Sequence, residues 1–234
     1  MMEFERPLLS GKFIKRYKRF LVDLELEDGR IVTAHCANSG AMLGLLVPGA
    51  PVWVKSFPDE SPRTLKYSWE IVGVDNTLVG INTSLPNHLV AEALEKKMIP
   101  ELAEFPFYKR EVKYSENSRI DFLLFNEQGE LCYLEIKNVH LKRGHEAQFP
   151  DSVTTRGAKH LRDLMAMRRE NHRAVTLYII QRSDCHSFSL AEDLDFLYSQ
   201  AAREARACGV EFLAYDCHIT LKEIKLRQRV DSRF

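Results

Sequence analysis

Ser118-Arg-Ile-Asp-Phe-Leu-Leu-Phe125, a short polar break, and Leu131-Cys-Tyr-Leu-Glu-Ile-Lys-Asn138 are the most informative run in this 234-residue chain. Both flanks have the apolar content of buried strands. Asn126 to Glu130 make a five-residue loop, in which Gly129 takes the backbone torsion that other residues resist. In that hairpin Phe125 faces Leu131, and each step back pairs residues whose numbers sum to the same value. Asp121 then falls opposite Glu135, on one face of the pair. A four-residue loop would shift the register by one. Lys137 lies two residues beyond Glu135 and projects from the same face.

An ionised carboxylate is costly to bury without a partner. Two acids and a lysine among Ile120, Phe122, Leu124, Leu134 and Ile136 therefore need compensation, and a divalent cation supplies it. Mg²⁺ is bound through one or two carboxylates and completes its octahedral shell with water and substrate phosphate oxygens. Such an ion polarises a phosphoryl oxygen or lowers the pKa of a bound water. The expectation is a Mg²⁺ or Mn²⁺ site for phosphodiester hydrolysis, with Asp121, Glu135 and Lys137 catalytic and Asp121 and Glu135 holding metal. Glu92, on a preceding helix, is a candidate third ligand, though His88 and Lys96 lie one turn away as ordinary partners. Glu111 has a similar claim. The competing reading is a plain Glu-x-Lys salt pair on an exposed strand, against which the apolar neighbours at 134 and 136 speak.

Outward from the hairpin, the first 80 or so residues read as about five short strands: residues 13–25, 30–36, 52–57, 67–74 and 78–82, with a turn at Glu27-Asp28-Gly29. A small closed barrel of OB type fits that count, because closure removes exposed edges. From Ser84, as a cap, a helix is expected over residues 85 to about 98, with Pro86 in its first turn. A strand follows near residues 111–114, then the hairpin, a helix opening after Pro150-Asp151-Ser152 and running to about residue 169, and a strand over 174–181. A helix over 190–208 closed by Gly209 and a final strand over 210–220 complete the chain. This is an α/β (α+β overall) arrangement: residues 1–82 as a barrel domain and residues 83–234 as a mixed sheet flanked by helices.

Lys plus Arg and Asp plus Glu both number 33, so net charge announces no partner. Distribution says more. Lys12, Lys15, Arg16, Lys18 and Arg19 form one basic run, with Phe13, Tyr17 and Phe20 interleaved as faces on which bases can stack; a solvated strand face with core aromatics behind it is the other reading. Lys222, Lys225, Arg227, Arg229 and Arg233 form a second run. On the helix after the hairpin, Arg156 and Lys159 are placed to grip phosphates, Gly157 allows a close approach, and His160 reads as a packed histidine. His35-Cys-Ala-Asn-Ser-Gly-Ala-Met42 reads as a strand end turning through Asn38-Ser39-Gly40, with polar groups available to a ligand between the domains. Five scattered cysteines fit reduced thiols. No apolar run approaches a membrane span, and the opening residues lack signal-peptide character. A cytoplasmic protein is expected.

The chain resembles the sugar fermentation stimulation protein A (SfsA) family. The resemblance is carried by Ile14-Lys-Arg-Tyr-Lys-Arg-Phe20, the His35–Met42 segment, Glu111-Val-Lys-Tyr114, Ser118-Arg-Ile-Asp-Phe122, Tyr133-Leu-Glu-Ile-Lys137 and Phe149-Pro-Asp-Ser-Val-Thr-Thr-Arg-Gly-Ala-Lys-His-Leu161. Ala37 and Ser39 stand where relatives often have Pro and Thr. The resemblance implies an OB-like N-terminal domain, a C-terminal domain of PD-(D/E)xK nuclease type, DNA binding with little sequence preference, and a link to sugar metabolism. It aligns Asp121, Glu135 and Lys137 with the two acids and the lysine of the nuclease motif, with Ile120 replacing the proline. A non-catalytic DNA-binding regulator on a vestigial nuclease fold is the alternative, since such folds also serve as binding modules.

Overall fold

A computed structural model describes residues 2–115 and 118–234. Met1, the first of the opening residues read above for signal character, lies outside the described residues, as do Glu116 and Asn117.

The N-terminal barrel closes. Leu9–Tyr17 pairs with Leu21–Leu26 and with Pro51–Ser56, Leu21–Leu26 with Ile31–Cys36, and Pro51–Ser56 with Tyr67–Val74. The ring is shut by parallel pairing of His35 with Ser68 and Cys36 with Trp69. Thr77–Gly80 extends Tyr67–Val74 as a hairpin outside the ring. Inward alternation fills the barrel with Val22, Leu24, Val52, Val54 and Trp69. Phe13 joins them, stacked on Trp69 at 5.5 Å between ring centroids, so it is a core residue and offers no stacking surface to a base.

The second half is built on a seven-stranded sheet. Its order is Met2–Glu3, Glu223–Arg229, Glu211–Ile219, Arg173–Ile180, Leu131–Val139, Ser118–Phe125, Phe107–Ser115. The strand pairs between Arg173–Ile180 and its two neighbours are parallel, and the other pairs are antiparallel. The helix Leu85–Glu95 packs on one face through Leu85, Leu89, Val90 and Ala93. Helices Thr155–Arg169 and Phe196–Ala207 cover the other. A small sheet of Leu141–Arg143, Glu146–Phe149, Ser187–Leu190 and Asp231–Ser232 flanks the assembly.

Several boundaries differ from the sequence reading for local reasons. The first helix stops at Glu95, because Lys97 turns into the left-handed region at φ 54°. Ser84 does not cap it; its hydroxyl donates to Asn82 Oδ1 at 2.6 Å. The helix expected from residue 190 begins at Phe196, where Asp195 caps it by accepting from Tyr198 N at 3.0 Å; Leu190 belongs to a strand paired with Phe149. The strand over Glu211–Ile219 is followed by another, Glu223–Arg229, in which Ile224 and Leu226 alternate inward between the charges of the second basic run.

Candidate functional site

The hairpin has the expected register over four pairs, but the ladder ends before the expected pairing of Asp121 with Glu135. Leu131 pairs with Phe125, Cys132 with Leu124, Tyr133 with Leu123 and Leu134 with Phe122. Beyond that the alternation slips. Phe122 and Leu124 point into the core under helix Leu85–Glu95, whereas Ile120 belongs to the opposite core. Asp121 sits at the slip. Its Oδ2 accepts from the Ile136 amide at 2.7 Å and its Oδ1 from Asn87 Nδ2 at 3.1 Å.

Glu135 is 3 % exposed, on the face toward helix Thr155–Arg169. Its Oε1 accepts from Lys137 Nζ at 2.7 Å and from His160 Nδ1. Arg156 Nε donates to His160 Nε2 at 3.2 Å, which assigns the imidazole hydrogen to Nδ1. The second oxygen, Glu135 Oε2, is buried without a partner among the described residues. The hydroxyl of Tyr114 is in the same condition. Its acidity is suppressed first by burial and then by the charges of Glu135, Asp163 and Asp121, so it stays a neutral phenol beside the acids.

The two carboxyls are driven apart electrostatically. Burial and then the charge of Glu135 push Asp121 up to about 6, against the pull of the Ile136 amide, Asn87 and Lys137. Burial also raises Glu135, but the Lys137 charge and the His160 hydrogen bond outweigh it and leave that carboxyl below its ordinary value. One acid holds its charge on a lysine; the other loses its charge readily near neutrality.

The structure thus brings Asp121, Glu135 and Lys137 together and adds Asn87, Tyr114 and His160. Glu92, the candidate third ligand, forms an i,i+4 ion pair with Lys96. No group of three or more His, Cys, Asp or Glu suited to a metal occurs among the described residues. Glu111, with φ 53°, is exposed on the edge strand Phe107–Ser115. What the protein offers a cation is therefore two carboxylates, one of which, Glu135, has an orphaned oxygen. That donor set suits an ion sharing its shell with water and phosphate, and it falls short of a closed cage. Asn87 left no signal beyond lying one helical turn before Ala91; Tyr114 was readable as the inward residue of its strand.

The phosphate-gripping candidates divide. Arg156 is occupied with His160, and Lys159 with Asp163 at 2.8 Å and with Ser118. Gly157 does allow a close approach, to the Thr154 side chain and the Tyr198 ring, where a Cβ would stand 2.9 and 3.0 Å away. Arg16 donates to the carbonyls of Asn38, Gly40 and Arg19, and Lys15 faces Asp23 at 3.7 Å. Lys12, Lys18 and Arg19 are exposed. In the C-terminal run Arg227 pairs with buried Asp216, Arg229 with Glu101 and Lys225 with Glu223. All five cysteines are free, and four are buried. No helix among the described residues is long and apolar enough to cross a membrane.

Comparison with known proteins matches residues 14–81 to a family model described as the SfsA N-terminal OB domain, and residues 84–223 to one described as the sugar fermentation stimulation protein RE domain. A sugar fermentation stimulation protein homolog of Maricaulis maris is 50% identical over 220 residues, covering 94% of this chain and 93% of the relative. That of Geotalea uraniireducens is 47% identical over 232 residues, 99% of this chain and all of the relative. The structure of Pyrococcus furiosus SfsA in complex with Ca²⁺ superposes with a TM-score of 0.90 at 26% identity, covering 100% of this chain and 98% of that one. In the second half a helix, a three-stranded antiparallel meander, a helix and a parallel strand follow one another along the chain.

Proposed function

The chain belongs to the sugar fermentation stimulation protein family, and we propose that its Asp121–Glu135–Lys137 cluster is the site of a divalent-cation-dependent phosphodiesterase acting on DNA. The observation that carries this reading is Glu135 Oε2, a carboxylate oxygen buried without a partner among the described residues while its other oxygen is held by Lys137 and His160. An unmet acceptor of this kind is expensive unless something positive takes it. Asp121 and Glu135 would hold Mg²⁺ or Mn²⁺. The Ca²⁺ complex of the Pyrococcus furiosus relative supports a divalent ion in this fold. Bound there, the ion would polarise a phosphoryl oxygen and acidify a water.

The protein's own groups have separate tasks. His160 and Lys137 share Glu135 Oε1 and so fix the carboxylate with its other oxygen free. Ile136 N–H and Asn87 orient Asp121. Lys137, at 12 % side-chain exposure, places a cation and a proton donor where a phosphorane gathers negative charge. Lys12, Lys18 and Arg19 serve the phosphate backbone without reading bases. The family's link to sugar metabolism would act through this contact with DNA.

Purified protein is incubated with single-stranded, duplex and branched DNA in Mg²⁺, Mn²⁺ or chelator, beside Asp121→Asn and Lys137→Ala. Metal-dependent products that vanish in both variants are expected. Retained binding with no product from any substrate would make the protein a non-catalytic DNA-binding module.

A further inference from the structure

One cleft lies outside the carboxylate cluster yet adjoins it. It occupies about 360 Å³ between the barrel turn Asn38-Ser39-Gly40 and residues 138–141 and 148–154. Asn138, in its wall, is the next residue after Lys137 on the strand Leu131–Val139. Thr154, also in its wall, caps the helix that carries Arg156 and His160. The volume is at the small end of the ~300–1,000 Å³ typical of small-molecule sites, enough for one nucleotide and too little for a duplex.

Its polar groups are sorted by kind. Arg19, at the rim, has no side-chain hydrogen bond or ion pair among the described residues. Inside, acceptors remain. Gln148 gives its Nε2 hydrogens to Glu146 and Ser189, each at 3.1 Å, and keeps Oε1 buried without a partner. Asp151 binds Met42 N at 2.8 Å through Oδ2, while Oδ1 meets only the Ser152 hydroxyl at 3.2 Å. Asn38 and Asn138 are not open acceptors: their oxygens take Gly40 N and Gln181 Nε2. The carboxylate inside disfavours an anion there and favours a neutral group rich in N–H donors, while the rim guanidinium favours a phosphate. A nucleotide carries both, on one unit.

We propose that this cleft receives one unpaired nucleotide of the DNA substrate, base inward against Gln148 and Asp151 and phosphate at Arg19. The substrate class is then DNA with an unpaired nucleotide next to the bond presented to Lys137. This deepens the phosphodiesterase reading and rests on it for the identity of the substrate, but it is tested without cleavage.

Binding is measured in chelator with a duplex carrying one unpaired 2-aminopurine, against the fully paired duplex, by fluorescence and anisotropy. Tighter binding of the unpaired probe is expected, with a change in 2-aminopurine emission. Gln148→Leu is expected to erase about tenfold of that preference, the worth of one buried hydrogen bond, while binding the paired duplex within about twofold of the parent. Arg19→Ala, which also gives up a contact to the DNA backbone, is expected to weaken binding of both duplexes and to erase a similar share of the preference. Thermal melting confirms that both variants fold, and either one alone suffices. Equal affinity for the two duplexes, or a preference intact in both variants, would overturn the proposal. So would displacement of the probe by deoxynucleoside monophosphate as effectively as by unpaired DNA, which would make the cleft a free-nucleotide site. Failure to cleave any DNA would leave this result standing and would count only against the phosphodiesterase.

Discussion

Asp121 Oδ2 accepts the backbone hydrogen of Ile136 at 2.7 Å, which ties the first acid of the site to the residue standing between the second acid and the lysine. The bond forms where the alternation of the Ser118–Phe125 strand slips, and it keeps Asp121 beside Glu135 at a cost in charge repulsion. That cost is measurable. A carboxyl at 3.8 in the unfolded chain and about 6 in the folded one binds its proton more tightly when folded. Its contribution to stability is complete below the unfolded value and is lost as pH rises through about 6. Asp121→Asn keeps the acceptor for Ile136 and removes the charge. In chelator at pH 8 it should be more stable than the parent by up to about 3 kcal/mol, read from denaturant unfolding, with the difference disappearing near pH 4.

The same shift sets a pH dependence for metal. Asp121 must lose its proton to ligate, so affinity for Mn²⁺ should be level above about pH 7 and fall as pH drops through about 6, with proton release on binding in that range. Calorimetry in two buffers of different ionisation enthalpy reads both.

His160 is the anchor of Glu135. His160→Ala should lower Mn²⁺ affinity about 10- to 100-fold, the usual effect of removing a group that orients a ligand. His160→Asn can place its amide N–H where Nδ1–H stands and should recover most of that loss, whereas a purely space-filling histidine would not be rescued by this exchange.

The two basic runs should behave differently. Arg227 covers the wholly buried Asp216, so Arg227→Ala should cost about 3–5 kcal/mol of folding stability by leaving that carboxylate unpaired. Arg229, paired with Glu101 at 2.6 Å, should leave the salt dependence of DNA binding unchanged when removed. Lys18 and Arg19 are exposed, and their joint replacement by Ala should reduce the slope of log affinity against log salt by about two.

Gly40 faces Asp151 so closely that a Cβ there would lie 2.7 Å from the carboxylate. Gly40→Ala should therefore push the barrel turn away from residues 150–152 and destabilise the protein by about 1–3 kcal/mol in thermal melts.

The register of the central hairpin was legible because one loop length and one glycine fix it: Gly129 sits at φ 80° and Asn126 N reaches the Glu130 carbonyl. The barrel was legible from short strands punctuated by turns. The slip at Asp121 was not, since Ile120 and Phe122 look alike in sequence and only the two opposed cores separate them. The strand Glu223–Arg229 was hidden by its charges, although Ile224 and Leu226 alternate correctly between them. Phe13 and Arg16 read as nucleic-acid contacts because they lie in a basic run; the first is held by Trp69 and the second by backbone carbonyls, and both partners are distant in the chain. His160 read as a packed histidine and is one, but what it packs against is Glu135.

Titration of Mn²⁺ into the metal-free protein at pH 7.5, beside Glu135→Gln and Asp121→Asn, bears most directly on whether these two acids form a cation site. One ion per chain bound by the parent, with binding lost in both variants while each still melts cooperatively, is the predicted result. Equal Mn²⁺ uptake by the parent and both variants, or none by the parent, would contradict it.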